Sequence, residues 1–282
     1  GMAFLPQCAT VSRLRSGDAC RSTTRLGEGA YCRHKYGRRR AKSIQMTSSD
    51  NSSGDVKDVC AIVLAGGVGK RMKSDRPKQF LDLQGKTVLE RSLELFLTLR
   101  EVSQVVVVLE ESYRDTFSSY LKRTDKSFVF ADPGKERQDS VYNGLQMAAD
   151  STRLICVHDA ARPLVTHEEI KDVLRDAAEH GAAVLGVPCK ATVKESEDGE
   201  FVLRTIERKR LWEVQTPQVV EKQLLIDGFS NVIKNNLEVT DDVSIIEQLG
   251  KPVKITVGQY TNIKITTPDD LIVADSILAS RQ

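Results

Sequence analysis

The sequence predicts an α/β protein with a Rossmann-like, doubly wound and mostly parallel sheet. Short apolar runs rich in β-branched residues alternate with segments of helical periodicity, which is typical of parallel strands joined by right-handed crossovers. The first run, at 59–64, is continuous and ends at a glycine-rich loop, as expected of a strand buried on both faces. Ligands of such sheets bind at the carboxyl ends of the strands. We therefore expect one folded domain over residues 56–282, with its site in the loops at that edge.

The predicted elements follow one another in a regular order. Strands are expected at 59–64, 104–109, 127–131, 153–158 and 182–187. Helices are expected between them, at 87–99, 113–121, 139–149 and 166–180, the last opened by a capping box at Thr166 and Glu169. The remaining elements are helices at 221–235 and 240–249, strands at 253–257 and 262–266, and a final helix with Thr267 as its N-cap.

Residues 188–210 interrupt this alternation. Two short stretches, 192–194 (Thr-Val-Lys) and 201–203 (Phe-Val-Leu), flank the turn-forming segment 197–200, which predicts a β-hairpin. The hairpin has too few apolar residues to form a core of its own. We call residues 188–210 the arm, and we expect a second copy of the chain to cover it, giving a homodimer.

Composition separates the first 55 residues from the rest. The 282-residue chain has a formal net charge of +2, but residues 1–49 contain ten Lys and Arg against only Asp18 and Glu28. This tail is rich in Arg, Ser and Thr and lacks apolar periodicity, so we predict a disordered organelle transit peptide, dispensable for activity, rather than a nucleic-acid-binding arm. No apolar run approaches the ~18 residues that a membrane span needs. Neither a membrane nor a nucleic acid is an expected partner.

The loop after the first strand predicts a polyphosphate site. Gly66, Gly67 and Gly69 leave backbone N–H groups unshielded, and cations crowd around them from position 70 to 78. A P-loop is excluded because Arg71 follows Lys70, where a hydroxyl would have to hold magnesium. A dinucleotide fingerprint is excluded because its third glycine is replaced by Met72.

Two further loops end at the same edge of the predicted sheet. Residues 134–140 follow the third strand and residues 159–162 follow the fourth, so three loops are expected to define one cleft. The chemistry of Asp159 stays open at this point. Its carboxylate suits a magnesium ion or a substrate hydroxyl, and it equally suits an ordinary ion pair with Arg162.

Taken together, these motifs resemble those of the sugar-phosphate cytidylyltransferases, a nucleotidyltransferase family. The matching runs are residues 64–72, 77–79, 134–141, 157–163, 211–212, 215–218, 238–242 and 262–266, and the resemblance covers about 58–280. It implies transfer of CMP from CTP to a sugar-alcohol phosphate with release of pyrophosphate. It also implies Mg²⁺ or another divalent cation, held mainly by the CTP phosphates.

The resemblance also assigns roles to single residues. The implied catalytic residues are Arg71, Lys78, Arg208 and Lys264. The implied CTP-binding residues are Ala65, Gly66, Gly67, Gly69, Gly134 and Ser140. The implied acceptor-binding residues are Asp159, Arg162, Thr192, Thr216 and Thr240, and Asp159 is also the candidate metal contact. Lys135 departs from the family pattern, because bacterial members commonly have an acidic residue there.

Three functional hypotheses follow. In the first hypothesis, the chain is an enzyme whose acceptor is 2-C-methyl-D-erythritol 4-phosphate, an intermediate of the non-mevalonate isoprenoid pathway. Ribitol 5-phosphate is the alternative acceptor, because enzymes for the two share most of these motifs. A plastid-type tail favours the first and places the protein in the plastid stroma. A hypothesis of another class is an inactive nucleotide-binding or interaction protein, since fold alone does not fix function.

Overall fold

The computed structural model of the chain describes residues 56–67, 72, 76–119 and 125–281. The predictions for the tail therefore lie outside the described residues. The strands are β1 (Val59–Leu64), β2 (Asp82–Leu83), β3 (Lys86–Thr87), β4 (Val102–Val108), β5 (Ser127–Ala131), β6 (Leu154–Asp159), β7 (Ala182–Pro188), β8 (Lys194–Glu195), β9 (Arg204–Thr205), β10 (Trp212–Glu221) and β11 (Lys254–Val257). The helices are α1 (Val88–Thr98), α2 (Arg114–Phe117), α3 (Arg137–Gln146), α4 (His167–His180), α5 (Lys222–Asn235), α6 (Ser244–Glu247) and α7 (Pro268–Ala279).

Seven strands form one mixed sheet in the order β11-β7-β10-β6-β1-β4-β5. The pairs β1–β4, β1–β6, β4–β5 and β7–β11 are parallel, whereas β10 is antiparallel to both β6 and β7. The predicted doubly wound, mostly parallel sheet is thereby confirmed. The first strand, β1, is almost completely buried near the centre of the sheet, as its continuous apolar sequence predicts.

Alternate residues of β1 serve the two faces of the sheet. Ala61 and Val63 belong to a core beneath α1 and α4, whereas Cys60 and Ile62 belong to a second core beneath α3 and α5. This two-sided burial explains why the strand has no polar side chain. Because both faces are covered, the ligand-binding loops are confined to the strand ends.

Two sequence predictions about single elements are wrong. Residues 262–266 form no strand, although Ile265 N–H donates to the Ala161 carbonyl over 2.8 Å. The helix expected at 240–249 is reduced to α6 (Ser244–Glu247). In addition, the ten-residue strand β10 was not predicted, because Gln215, Thr216 and Gln218 interrupt its apolar pattern even though all three are buried.

The arm contains the predicted hairpin, with β8 and β9 antiparallel. Its pairing lies slightly away from the stretches expected from sequence, since Lys194 pairs with Thr205 and Glu195 with Arg204. The tip exposes apolar side chains: Phe201 is 74% exposed, Val202 61% and Leu203 55%. No helix of the described residues is long and apolar enough to cross a bilayer.

We predict that Gly144→Ala destabilises the fold. A Cβ at Gly144 would lie 2.6 Å from Ile62 Cγ2 and 3.2 Å from Val108 Cγ2, so α3 would be pushed away from the sheet. We expect a loss of about 1–3 kcal/mol in the free energy of unfolding, larger than the gain in helix propensity. Urea denaturation measures this loss. Gln146→Ala, at an exposed position of the same helix, is the control; equal stability of the two variants would contradict the prediction.

Candidate active site

A cleft of about 390 Å³ opens at the carboxyl ends of β1, β5 and β6, where the sequence predicted it. All three predicted loops contribute to its lining. The lining residues are Leu64, Ala65, Gly66, Gly67, Lys78, Gln79, Glu110, Pro133, Gly134, Lys135, Glu136, Arg137, Ser140, Asp159, Ala160, Ala161 and Lys264. Gly69 and Arg71 belong to the part of the first loop outside the described residues.

Gly66 allows the first loop to approach the second, and Gly134 allows the second loop to fold closely against the start of α3. A Cβ on Gly66 would lie 2.5 Å from Pro133 Cβ, and one on Gly134 would lie 2.2 Å from Asp139 Cβ. Buried Gln79 fixes the first loop, because its Nε2 donates to the Ala65 carbonyl over 2.6 Å. We call the space between these two loops, which Ala65, Gly66, Gly134 and Ser140 help to line, the slot.

Ser140 supports the second wall of this slot. Its Oγ accepts a hydrogen bond from the Gly134 backbone N–H over 2.9 Å and lies 3.3 Å from the Glu136 carbonyl. Ser140 lines the cleft as well. Its hydroxyl therefore orders the glycine turn at the edge of the cleft.

The floor of the cleft holds a charged cluster centred on Asp159. Lys264 Nζ lies 2.6 Å from Asp159 Oδ2, and the Arg137 guanidinium lies 3.2 Å from Asp159 Oδ1. Burial opposes ionisation of this carboxylate, but Arg137 and Lys264 outweigh burial and hold the pKa of Asp159 well below its usual range. The ion pair anticipated for Asp159 thus exists, but its partners are these two cations rather than Arg162.

Arg137 was not identified from the sequence as a site residue. Its two terminal nitrogens donate to both carboxylate oxygens of Asp242, over 2.7 and 2.8 Å. Burial works against the charge of Arg137, but Asp242 and Asp159 outweigh it and raise the pKa of Arg137 above its ordinary value. The first turn of α3 is in this way tied to the loop before α6. Only the matching family motif at 134–141 offered a signal for it.

The two lysines of the cleft come from distant parts of the chain. Lys78 Nζ donates to the Ile265 carbonyl over 3.0 Å, so the segment after the first loop meets the segment that contains Lys264. Both lysines line the cleft. The predicted catalytic cations Lys78 and Lys264 are therefore brought together.

Arg162 lies beside the cleft rather than in its lining. Its Nη1 donates to the Asn262 carbonyl over 2.7 Å, and both residues line a neighbouring cavity of about 210 Å³ that Lys264 also borders. Two buried atoms of this pair, Arg162 Nε and Asn262 Oδ1, have no hydrogen-bond partner among the described residues. Residues that line the small cavity thus contain buried polar atoms with unmet bonding capacity.

The threonines assigned to acceptor binding lie in three different places. Thr240 is exposed and lines a cavity of about 600 Å³ that shares Glu136 and Arg137 with the cleft. Thr192 and Arg208 lie on the exposed arm and not among the cleft residues, and Arg208 Nη1 donates to the Lys190 carbonyl. Thr216 is buried, and its role in acceptor binding stays a prediction. Its Oγ1 accepts from the Asp159 backbone N–H over 3.1 Å.

Comparison with known proteins identifies the family. The family model for 2-C-methyl-D-erythritol 4-phosphate cytidylyltransferase (IspD) matches residues 59–280. The chain belongs to this family. It is 48% identical over 271 residues to the chloroplastic enzyme of that name from Oryza sativa subsp. japonica, an alignment covering 95% of this chain and 88% of the rice protein. It is 44% identical to the enzyme of that name from Geobacillus thermodenitrificans, with 78% of this chain and 97% of the relative covered.

Solved structures of this enzyme family share the fold. The enzyme from Francisella tularensis is 32% identical with a TM-score of 0.67, covering 78% of this chain and 99% of that one. The 4-diphosphocytidyl-2C-methyl-D-erythritol synthase from Anaerococcus prevotii is 27% identical with a TM-score of 0.71, covering 80% and 100%. The chain is thus a cytidylyltransferase, and the names of its relatives support the methylerythritol acceptor rather than ribitol 5-phosphate. The chloroplastic rice relative supports the prediction of a transit peptide.

We predict that Asp159→Asn destabilises the protein in a pH-dependent way. Because the folded-state pKa of Asp159 is depressed, its stabilising contribution is complete above the unfolded-state pKa of ~3.9 and is lost as the pH falls through the folded-state pKa. Loss of the charged hydrogen bonds is expected to lower the free energy of unfolding by about 1.5–3 kcal/mol at pH 7.

Denaturant titrations of Asp159→Asn and the unmodified protein between pH 7 and pH 2.5 measure this difference. We expect it to narrow below about pH 4. Asp132→Asn is the control. Asp132 makes an exposed ion pair with Arg114, so its substitution is expected to change the free energy of unfolding by less than about 1 kcal/mol. A difference at Asp159 that widens on acidification would contradict the predicted sign.

Proposed function

We propose that the chain transfers CMP from CTP to 2-C-methyl-D-erythritol 4-phosphate in the plastid stroma, giving 4-diphosphocytidyl-2-C-methyl-D-erythritol and pyrophosphate. The observation that carries this proposal is the ionised Asp159 held between Arg137 and Lys264 at the floor of a glycine-walled cleft. The cleft offers cations for phosphates and an acceptor for a substrate hydroxyl. The family membership and the names of the relatives support the same reaction.

The cytosine base is assigned to the slot between the two glycine loops. Gly66 and Gly134 both line the cleft without side chains, and neither position has room for a Cβ, so backbone groups are available to face the base. A slot of this kind rejects purines sterically and reads the edge of a pyrimidine with few donors and acceptors. Ala65, Gly67 and Ser140 also line the cleft, and we assign them to binding of CTP at the edges of the slot.

The transfer step needs cations more than it needs a base. The acceptor's phosphate oxygen is already ionised at neutral pH and attacks the α-phosphorus of CTP, while the bond to the leaving pyrophosphate breaks. Negative charge then has to be stabilised on the phosphorus centre and on the leaving group. We assign this role to Lys78 and Lys264 in the cleft and to Arg71 in the adjoining loop.

The acceptor is assigned to the side of the cleft formed by Asp159 and Lys264. Lys264 is placed to hold its phosphate, and ionised Asp159 can accept a hydrogen bond from one of its hydroxyl groups. The small cavity lined by Arg162 and Asn262 is assigned to the rest of the polyol, because it borders Lys264 and has polar side chains in its lining. Thr240, in the neighbouring cavity, is a further candidate contact.

The described residues do not form a dedicated magnesium site. Among them, no group of three or more His, Cys, Asp or Glu side chains can hold a metal ion. Both carboxylate oxygens of Asp159 are already engaged by Arg137 and Lys264. Mg²⁺ is therefore proposed to enter as its complex with the CTP phosphates, as part of the substrate.

We assign the arm to a two-fold dimer in which each arm serves the partner's cleft. Exposed apolar side chains at the tip need a cover, and Thr192 and Arg208 do not line the cleft of their own chain. In a dimer of this kind, Arg208 clamps the acceptor phosphate with its planar guanidinium while Lys264 binds it from the same chain as the cleft.

We expect CTP with 2-C-methyl-D-erythritol 4-phosphate to be the preferred substrate pair. Pyrophosphate release is measured with CTP, UTP and ATP, each combined with the methylerythritol phosphate and with ribitol 5-phosphate, in the presence of Mg²⁺. The slot geometry predicts that ATP is rejected. A preference for ATP would overturn the assignment of the slot, and a preference for ribitol 5-phosphate would overturn the assignment of the acceptor.

We predict that two inactive variants complement each other in mixed dimers. Lys78→Ala and Arg208→Ala are each expected to lower kcat by roughly a hundredfold to a thousandfold, because each removes a preorganised cation. If Arg208 acts on the partner's cleft, a mixed dimer has one cleft with both residues intact. Random exchange makes about half of the dimers mixed, so roughly a quarter of the original activity should return.

Subunit exchange is verified with two affinity tags, and unmixed variants carried through the same exchange are the controls. A mixture that stays as inactive as its parents would show that Arg208 does not act across the dimer. A chain that remains monomeric at assay concentration would overturn the assignment of the arm.

A further inference from the structure

A chain of buried hydrogen bonds lies directly beneath Asp159. The Asp159 backbone N–H donates to Thr216 Oγ1 over 3.1 Å, and Thr216 Oγ1 lies 3.2 Å from His158 Nδ1. The other ring nitrogen, His158 Nε2, lies 3.1 Å from the Arg162 carbonyl oxygen. His158 is completely buried. The imidazole therefore connects the backbone at Asp159 with the backbone at Arg162.

The partners of the ring determine its protonation state. The Arg162 carbonyl can only accept, so His158 Nε2 carries a proton and donates it. Thr216 Oγ1 already accepts from Asp159, so its own proton is available to Nδ1. A neutral ring with its proton on Nε2 satisfies all of these bonds. Burial, although opposed by nearby Asp159, lowers the pKa of His158 to about 4, which keeps the ring neutral at physiological pH.

Packing alone does not account for an imidazole at this position. Ile155, Cys156 and Val157 precede it in β6, all completely buried, and the ring centroid lies 5.1 Å from that of Phe96. An apolar side chain of similar size would fill this space without the desolvation penalty of a polar ring. The imidazole adds two directed hydrogen bonds, and both end at residues that carry or support site groups.

We propose that His158 is a positioning residue for the transfer reaction, which acts through Thr216 and the turn from Asp159 to Arg162. The hydrogen-bond chain fixes this turn, whose own closure is a bond from Arg162 N–H to the Asp159 carbonyl over 2.9 Å. The carboxylate of Asp159 is thereby held toward Arg137 and Lys264, and Arg162 is held at the small cavity. The inference rests on the proposed acceptor site, and it concerns a residue that touches no substrate.

The expected consequence is selective for the acceptor. The two glycine loops that form the base slot are held by Gln79 and Ser140, which lie outside the hydrogen-bond chain. A turn that shifts by about 1 Å at Asp159 is expected to lower the rate on the order of a hundredfold. Disruption of the chain should therefore reduce kcat and kcat/KM for the acceptor and leave the KM for CTP nearly unchanged.

The test uses His158→Leu and Thr216→Val in the full chain. Each removes a link and preserves volume, and each is expected to lower kcat/KM for the acceptor by about tenfold to a hundredfold. Thr216→Ser keeps the hydroxyl and should restore most of the loss. The double variant should have a kcat/KM for the acceptor no lower than that of the poorer single variant, because both substitutions break the same chain of hydrogen bonds. Cys156→Ala, a buried substitution in the same strand, controls for destabilisation and should leave the kinetic constants unchanged.

Nitrogen-15 NMR of the ring provides a readout that does not depend on activity. At pH 7, His158 should show a protonated Nε2 and an unprotonated Nδ1, and the Nδ1 signal should shift in Thr216→Val. Only His34, His167 and His180 have to be distinguished from it. If the unmodified enzyme rejects the methylerythritol phosphate, the proposed function fails. The tautomer of His158 and its response to Thr216→Val still test the chain of hydrogen bonds.

Four results would overturn the positioning role. They are a charged or Nδ1-protonated ring at pH 7, a folded His158→Leu variant with unchanged kinetics, a rise in the KM for CTP as large as that for the acceptor, and additive losses in the double variant. A failure of Thr216→Ser to recover activity above that of Thr216→Val would also contradict it. Should His158→Leu not fold, the comparison of Thr216→Val with Thr216→Ser decides the question.

Discussion

The site depends on one buried carboxylate between two cations. Asp159 lies at the end of β6 with its oxygens toward Arg137 and Lys264, so a negative charge persists in a cleft built to receive phosphates. Arg137 is in turn held by both oxygens of Asp242, which belongs to a loop far along the chain. Removing Asp159 takes the acidic partner from Lys264 and one of two from Arg137, whereas removing Asp242 leaves Arg137 with Asp159 alone. The cluster thus links strand, helix and loop by charge rather than by packing.

The antiparallel strand β10 explains how this cluster is supported. It lies between β6 and β7, beginning at the base of the arm, where Trp212 pairs with Pro188, and ending beside the first residues of β6. Its buried polar residues face the site from within the sheet: Gln218 binds the backbone before α6, and Thr216 binds the backbone of Asp159. An apolar strand at this position would fill the sheet, but the backbone N–H groups of Asp159, Asp242 and Val243 would lose these side-chain acceptors.

The sequence predicted the parts of the fold that local pattern determines. The run Val59–Leu64 was recognisable because a strand covered on both faces must be continuously apolar. Strand β10 was not, because its polar residues are buried by distant partners that no periodicity reveals. Arg137 was missed for the same reason, since Asp242 lies 105 residues away. The charged cleft residues Lys78, Asp159 and Lys264 were named from motifs, whereas their mutual contacts required the folded chain.

The close approach of the glycine loops limits how this pocket can change under selection. Resistance to an inhibitor that fills the base slot could arise if a mutation added a side chain that narrowed the pocket. At Gly66 and Gly134 even a methyl group would overlap Pro133 and Asp139, which the fold itself needs in place. Resistance to an inhibitor seated in this slot would have to arise elsewhere on the rim. Lys135, which is exposed and lines the cleft, is the first position to sequence in resistant lines.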